Sequence, residues 1–138
     1  MSRPLLLDTC AALWIMDNSD LGKAAIDALD EASDRGEPVY VSPITGWEIG
    51  ILASRGRFKS QYAPQRWLQG LLATPMVQLA ELPPRVLLES SFLPGEPPRD
   101  PAYRILAATA REFDFTLVTR DRALLRYAAD GHLSAIAC

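Results

Sequence analysis

Short apolar runs alternate with longer amphipathic stretches along nearly the whole chain. Runs rich in apolar and β-branched residues are typical of buried strands, and five stretches qualify: PLLLD, PVYVS, MVQLAEL, FTLVTR and HLSAIAC. Between them lie stretches with the spacing of helices: SDLGKAAIDALDEASDRG, ITGWEIGILASRGR, APQRWLQGLLA, PPRVLLESSF, residues 101 to about 113, and DRALLRYAAD. This alternation predicts an α/β fold with a mainly parallel sheet.

Capping residues mark several helix boundaries. Gly36 is a plausible helix stop, and Ser42-Pro43 is typical of a helix cap followed by the first helical residue. After the Pro- and Gly-rich loop LPGEPPR, Asp100 and Pro101 are likewise typical of a helix cap and the first helical residue. Asp8 and Asp121 also stand where a strand gives way to a helix, and an Asp there is commonly just an N-cap.

Length and composition indicate one globular domain spanning residues 1–138. Hydrophobic residues make up 49% and charged residues 22% of the chain, which is ordinary for a globular protein. No apolar run reaches the roughly 18–20 residues of a membrane span, and Asp8 interrupts the apolar N-terminal stretch, so neither a membrane span nor a signal peptide is predicted. Cys10 and Cys138 suit neither a disulfide framework nor a zinc site. A cytoplasmic location is therefore the expectation.

Carboxylates at strand ends are the main sign of chemistry. Ligands bind outside the carboxyl ends of parallel strands, where Asp8 and Asp121 are expected to lie. Glu48, on an apolar helix, is expected to join them. Clustered carboxylates repel one another unless a cation neutralises them, and Mg²⁺ (or Mn²⁺) prefers oxygen ligands. The sequence therefore predicts an acidic site for a divalent metal ion.

Basic residues are unevenly distributed although the net charge is −3. Arg supplies twelve of the fourteen basic residues, and six of these Arg lie between residues 99 and 126. Arg binds phosphate through two parallel hydrogen bonds, so an acidic centre with an Arg rim is one interpretation, and solvated helix faces are the other. Arg104, Arg120 and Arg122 are the candidates for contacts to a nucleic-acid backbone.

Other catalytic classes lack their residues. His132 is the single His, which excludes a two-histidine ribonuclease mechanism. A phosphatase with an aspartyl-phosphate intermediate needs Asp-x-Asp where this chain has DTC, and a receiver domain needs a late Lys where none follows Lys59. Metal-assisted hydrolysis remains, with Glu48 holding a second ion or orienting the attacking water.

Four segments in order, LLLDTCAALW, VYVSPITGWEIGIL, RDPAYRILAATARE and TLVTRDRALL, resemble a PIN domain, specifically a VapC-type toxin. The resemblance spans essentially the whole chain and implies a three-layer α/β/α fold with about five strands. It also implies a Mg²⁺-dependent endoribonuclease that is the toxic half of a toxin–antitoxin pair. The implied partners are RNA, a second copy of the chain, and a VapB-type antitoxin in a higher hetero-oligomer that contacts DNA only through the antitoxin.

The resemblance implies roles for individual acidic residues of this chain. Asp8, Glu48 and Asp121 match three acidic positions of the family and are expected to be catalytic, with Asp8 and Asp121 as metal ligands. Thr9 and Thr119 stand beside the strand-end Asp residues and are candidates to position these carboxylates or to serve simple cap and strand roles.

The fourth acidic position departs from the family. The family commonly reads Asp-Pro-x-Asp-Arg, whereas this chain has Tyr103 in place of the second Asp. Either Asp100 substitutes as a metal ligand, or metal binding is weakened, or the change inactivates the chain. The alternative function is therefore a catalytically weakened PIN domain that mainly binds its antitoxin in an operator-binding complex. The apolar stretches IGILA and WLQGLLA are candidates for partner contacts or for core packing.

Overall fold

The five predicted strands form a single sheet in the computed structural model, which describes residues 3–138. The strands are β1 (Leu5–Leu7), β2 (Val39–Val41), β3 (Val77–Leu79), β4 (Thr116–Thr119) and β5 (Ser134–Ala137). Their order across the sheet is β3-β2-β1-β4-β5, and neighbouring strands are parallel throughout. The predicted α/β class with a parallel sheet is confirmed.

Helices cover both faces of the sheet. They are α1 (Thr9–Met16), α2 (Lys23–Asp34), α3 (Ile44–Ser54), α4 (Pro64–Ala73), α5 (Pro84–Glu89), α6 (Pro101–Phe113) and α7 (Arg122–Ala129). Successive residues of a strand point to opposite faces. Accordingly Leu5 and Leu7 of β1 pack with buried residues of α1 to α4, whereas Leu6 packs with those of α6 and α7. The three-layer arrangement is thus confirmed, and no helix within residues 3–138 is both long and apolar enough to cross a membrane.

Helix α1 is the helix predicted to follow Asp8, although no amphipathic stretch marks its extent. Its sequence, TCAALWIM, has no polar stripe, so hydrophobic periodicity does not reveal it. Ala11 and Ala12 are fully buried, and the following residues Leu13 to Met16 pack against the same core. A helix enclosed by core on several sides is apolar on several sides, which explains why no amphipathic pattern marks it.

Helix α3 begins one residue later than predicted. Pro43 is its N-cap and Ile44 its first residue, although the hydroxyl of Ser42 still accepts a hydrogen bond from the Ile44 N–H at 3.1 Å. The first turn therefore keeps a side-chain acceptor, and Glu48 stays on this helix as predicted.

The strand order locates the crevice where ligands bind in such sheets. From β1 the chain builds β2 and β3 on one side and then crosses to build β4 and β5 on the other. Adjacent strands whose connections leave in opposite directions form a crevice at their carboxyl ends. Asp8 directly follows β1, and Asp121 lies two residues beyond the end of β4. Both predicted aspartates therefore flank this crevice.

Candidate active site

Three of the four predicted acidic residues are helix N-caps. Asp8 Oδ1 accepts a hydrogen bond from the Ala11 N–H at 2.7 Å and caps α1. Asp121 Oδ2 accepts one from the Leu124 N–H at 2.8 Å and caps α7. Asp100 caps α6 in the same way. Because a helix N-terminus carries partial positive charge, each cap favours an ionised carboxylate.

Thr119 joins the two strand-end aspartates. Its hydroxyl donates to Asp8 Oδ2 at 2.5 Å, and the same oxygen accepts the N–H of Asp121 at 3.0 Å. Asp8 and Thr119 are almost completely buried, so water does not compete for these bonds. One hydroxyl thus orients the Asp8 carboxylate and fixes the backbone that carries Asp121.

Glu48 approaches from the neighbouring helix, α3. It is half-buried, and its Oε1 accepts a hydrogen bond from the Thr9 hydroxyl at 2.5 Å. The Thr9 hydroxyl also lies 3.2 Å from that of Thr45, a fully buried residue one turn before Glu48. Thr9 therefore connects the residue next to Asp8 with the Glu48 carboxylate.

The surroundings of the site disfavour the ionised forms of Asp8 and Glu48. Burial raises the pKa of Asp8 above its ordinary value, and the charge of Asp121 adds to this, although the Thr119 and Ala11 hydrogen bonds oppose it. Burial likewise raises the pKa of Glu48, with further contributions from Asp100 and Asp8. Within residues 3–138 none of these acids forms an ion pair with Lys or Arg. The site therefore favours a cation.

Tyr103 lies in the field of the same carboxylates. Burial raises its pKa, and Cys10, Asp121, Glu48 and Asp8 raise it further. At neutral pH its side chain is therefore a neutral hydroxyl, a hydrogen-bond donor that brings no negative charge. Its ring packs against the core formed by α6 and α7. The structure thus places the departure from the family pattern inside the acidic site.

Cys10 belongs to this neighbourhood although sequence reasoning assigned it no role there. Burial raises the pKa of its thiol to about 11, and Asp8 and Glu48 contribute to the rise. The thiol is therefore protonated and unreactive at neutral pH. Its position two residues after Asp8 was the available signal. Thr45 was also missed, and its spacing of three residues from Glu48 was the only hint.

The donor atoms of the site suit a hard divalent cation. Carboxylate oxygens without a basic partner fit Mg²⁺ or Mn²⁺, with water completing the coordination. However, no group of three His, Cys, Asp or Glu side chains within residues 3–138 could hold a metal ion. Asp100, the third predicted ligand beside Asp8 and Asp121, is exposed and caps α6, so its ligand role stays a prediction.

The predicted phosphate-binding arginines differ in their surroundings. The Arg120 guanidinium stacks on the ring of Trp14, 3.1 Å from its centroid, and donates to the Asp20 carbonyl at 3.2 Å. Arg104 is half-buried and its guanidinium lies 3.5 Å from the Ser90 carbonyl. Arg122 is exposed at the start of α7. Two of the three are therefore already held by contacts within the chain.

Comparison with known proteins gives a consistent result. The PIN domain family model matches residues 5–130. The chain is 33% identical to Ribonuclease VapC22 of Mycobacterium tuberculosis over 121 residues, which cover 87% of this chain and 88% of that protein. This relative is therefore similar along almost its whole length.

Two solved structures have a similar fold. VapBC2 from Rickettsia felis, bound to a DNA fragment from its promoter, gives a TM-score of 0.66 at 14% identity and covers 96% of this chain and 97% of that one. FitAB bound to an IR36 DNA fragment gives a TM-score of 0.54 at 18% identity, with 96% and 94% covered. At such low identity these structures show a shared fold alone.

We predict that in metal-free buffer Asp8→Asn gains free energy of unfolding relative to the parent protein as pH rises to neutral. The folded-state pKa of Asp8 lies above that of an unfolded Asp, about 4. The parent protein therefore loses stability as pH rises from the unfolded pKa through the folded one. Asn cannot ionise and its amide oxygen still caps α1, whereas its amide nitrogen cannot accept the Thr119 proton, a loss that does not grow with pH. Denaturant unfolding at several pH values should show a gain for the variant that grows as pH rises.

Asp30→Asn is the matched control for this measurement. Asp30 is exposed on α2, so its substitution should change the free energy of unfolding by no more than about 0.5 kcal/mol at any pH. A difference between Asp8→Asn and the parent that is the same in acid and at neutral pH would contradict the assignment of a raised pKa.

Proposed function

This chain belongs to the PIN domain family and is a relative of VapC ribonucleases, and on that premise we propose that it is a metal-dependent endoribonuclease, the toxin of a VapBC-type pair. The observation that carries the proposal is a set of buried and half-buried carboxylates: Asp8 and Asp121 follow the carboxyl ends of β1 and β4, and Glu48 approaches from α3. They have no basic partner among the described residues, so a bound cation is the natural counter-charge.

PIN-domain VapC nucleases are generally dependent on a divalent metal ion, and we propose Mg²⁺ for this chain, with Mn²⁺ as a substitute. Asp8 and Asp121 would hold the ion, and Asp100 would serve mainly as the cap of α6. When bound, the ion supplies positive charge beside the scissile phosphate and lowers the pKa of an attacking water. Glu48 would orient that water, and Thr9 and Thr119 would keep the carboxylates in position through the hydrogen bonds described above.

Arginines around the site would bind the RNA backbone. Arg122 is exposed beside Asp121, and Arg104 lies one residue after Tyr103. Arg120 is held against Trp14, so its side chain loses little conformational freedom when it binds a phosphate. Their charge would offset the repulsion between the RNA and the acidic site.

The proposed activity predicts RNA cleavage that requires Mg²⁺ and stops with EDTA. Asp8→Asn and Asp121→Asn should each lower the cleavage rate at least roughly 100-fold, since even a residue behind the ligands typically contributes 10- to 100-fold. Asp30→Asn, far from the site on α2, should cleave like the parent. Cleavage by Asp8→Asn at the parent rate with saturating Mg²⁺ would rule out Asp8 as a ligand.

Tyr103 supports a second candidate function. Its neutral hydroxyl lies in the field of the acidic residues, where the family pattern has a carboxylate. A site with one negative charge fewer binds Mg²⁺ more weakly. The second candidate is therefore a weakened nuclease whose main role is to bind its antitoxin within an operator-binding complex.

We predict that Tyr103→Asp raises Mg²⁺ affinity and RNA cleavage about tenfold or more, because it restores an anion where the metal would bind. Tyr103→Phe removes only the hydroxyl and should leave Mg²⁺ affinity close to that of the parent. Asp100→Asn should have little effect, since Asn caps helices about as well as Asp. Calorimetric Mg²⁺ titration of the three variants provides the measurement.

The reverse pattern would assign the ligand role differently. If Asp100→Asn abolishes Mg²⁺ binding while Tyr103→Asp changes nothing, Asp100 has taken over as the ligand. Equal Mg²⁺ affinity in the parent and in Tyr103→Asp would refute the proposal for Tyr103.

We further propose that the partners are a second copy of this chain and a VapB-type antitoxin, with DNA bound only through the antitoxin. Exposed apolar side chains support a protein partner: Trp47 is 53%, Leu88 66% and Phe92 76% exposed. The stretches IGILA and WLQGLLA contribute less than expected, because Ile49, Trp67 and Leu71 are buried in the core. Partner contacts are therefore assigned to the exposed apolar residues and the acidic crevice.

A basic, aromatic peptide tail should bind the crevice and compete with Mg²⁺. Its cation would replace the metal among the carboxylates, so Glu48→Gln should weaken peptide binding about tenfold. Asp30→Asn should bind the peptide like the parent. Sedimentation should show self-association at micromolar concentration. A strictly monomeric protein that binds neither the peptide nor an antitoxin encoded beside it would contradict the partner assignment.

A further inference from the structure

A path of hydroxyl groups lies behind the Glu48 carboxylate. The Thr9 hydroxyl lies 2.5 Å from Glu48 Oε1 on one side and 3.2 Å from the Thr45 hydroxyl on the other. Thr45 is fully buried and Thr9 is only 4% exposed. The three side chains therefore form a continuous chain of contacts from the interface of α1 and α3 to the acidic site.

Counting protons sets the direction of these hydrogen bonds. A Thr hydroxyl has one proton to donate and two lone pairs to accept with. An ionised carboxylate only accepts, and its bond to a hydroxyl is the short, charge-assisted one, so the Thr9 proton lies on Glu48. The Thr9 oxygen can then only accept from Thr45. Thr45 thus donates to Thr9, which donates to Glu48.

Thr45 and Glu48 lie on one face of α3, and the hydrogen bonds join them through Thr9. Residues three apart lie on the same face of a helix, so Thr45 and Glu48 both face α1. A donor to a hydroxyl oxygen restricts the rotation of that hydroxyl and strengthens the hydrogen bond it donates. Thr9 directly follows Asp8, so the path also joins Glu48 to the residue that caps α1.

We infer that Thr45 is a positioning residue, which holds the Glu48 carboxylate in one orientation through the Thr9 hydroxyl. The inference rests on the proposed function in so far as Glu48 belongs to the active site. The hydrogen-bond path itself is independent of any activity.

Two substitutions at Thr45 separate its hydroxyl from its packing. Thr45→Val keeps the shape and removes the hydroxyl, whereas Thr45→Ser keeps the hydroxyl and loses the methyl group. Crystal structures of parent and variants would give the Glu48 orientation, and Mn²⁺ binding would be followed by electron paramagnetic resonance. We expect Thr45→Val to release Glu48 into more than one orientation and to weaken Mn²⁺ binding about tenfold, and Thr45→Ser to restore both. For RNA cleavage we expect a lower kcat with little change in KM.

Each outcome decides the inference. An unchanged bond between Thr9 and Glu48 in Thr45→Val, with parental Mn²⁺ affinity, overturns it. Equal impairment in Thr45→Val and Thr45→Ser overturns it as well, because packing would then be the cause. If Thr45→Val does not fold, Thr45→Ala and Thr45→Ser replace it as a pair that differs by the hydroxyl. If neither the parent nor Glu48→Gln binds Mn²⁺ or cleaves RNA, the proposed function fails, while the crystal structures still decide the role of Thr45.

Discussion

The buried carboxylate of Asp8 is the contact on which the carboxyl end of the sheet depends. One of its oxygens holds the first turn of α1 and the other accepts the Thr119 proton, while the Thr119 oxygen fixes the backbone of Asp121. The end of β1 is thereby tied to the end of β4 across the crevice. This contact therefore fixes the starts of α1 and α7, and with them Asp8 and Asp121, relative to each other.

This arrangement costs stability as well as providing it. Burial disfavours the charged form of Asp8 and Glu48, and neighbouring carboxylates add repulsion. Hydrogen bonds from two threonine hydroxyls and the α1 backbone offset part of that cost. Such local destabilisation is what the proposed metal-dependent activity would require, and natural proteins accept it for function.

Tyr103 changes the charge of the site more than its shape. Its ring is accommodated by the core beneath α6, and its hydroxyl remains neutral because burial and nearby acids raise its pKa. The departure from the family pattern therefore removes one negative charge from the crevice and adds a hydrogen-bond donor. That change agrees with the absence of any three-residue metal cluster within residues 3–138. Arg104 and Arg120, by contrast, are restrained by contacts within the chain.

The sequence by itself determined the five parallel strands, the family, and the strand-end positions of Asp8 and Asp121, because these depend on local patterns. An apolar run that ends in Asp indicates a strand end, and an Asp before Pro indicates a helix start, and both patterns span only a few residues. Hydrophobic periodicity did not show the extent of α1, whose apolar residues surround the helix, nor that Ile49, Trp67 and Leu71 of IGILA and WLQGLLA would be buried in the core. Burial of that kind depends on which elements become neighbours.

Only the tertiary structure decided how the site is supported. Thr119 and Asp8 are 111 positions apart in the chain, and Thr9 is 36 positions from Thr45 and 39 from Glu48. The stacking of Arg120 on Trp14 is likewise a contact between distant segments. Hydrogen bonds of this kind exist only once parallel strands bring their ends together. The residue types that could bind a metal could therefore be recognised in the sequence. The hydroxyl groups that orient those residues depend on how α1 and α3 pack at the end of the sheet.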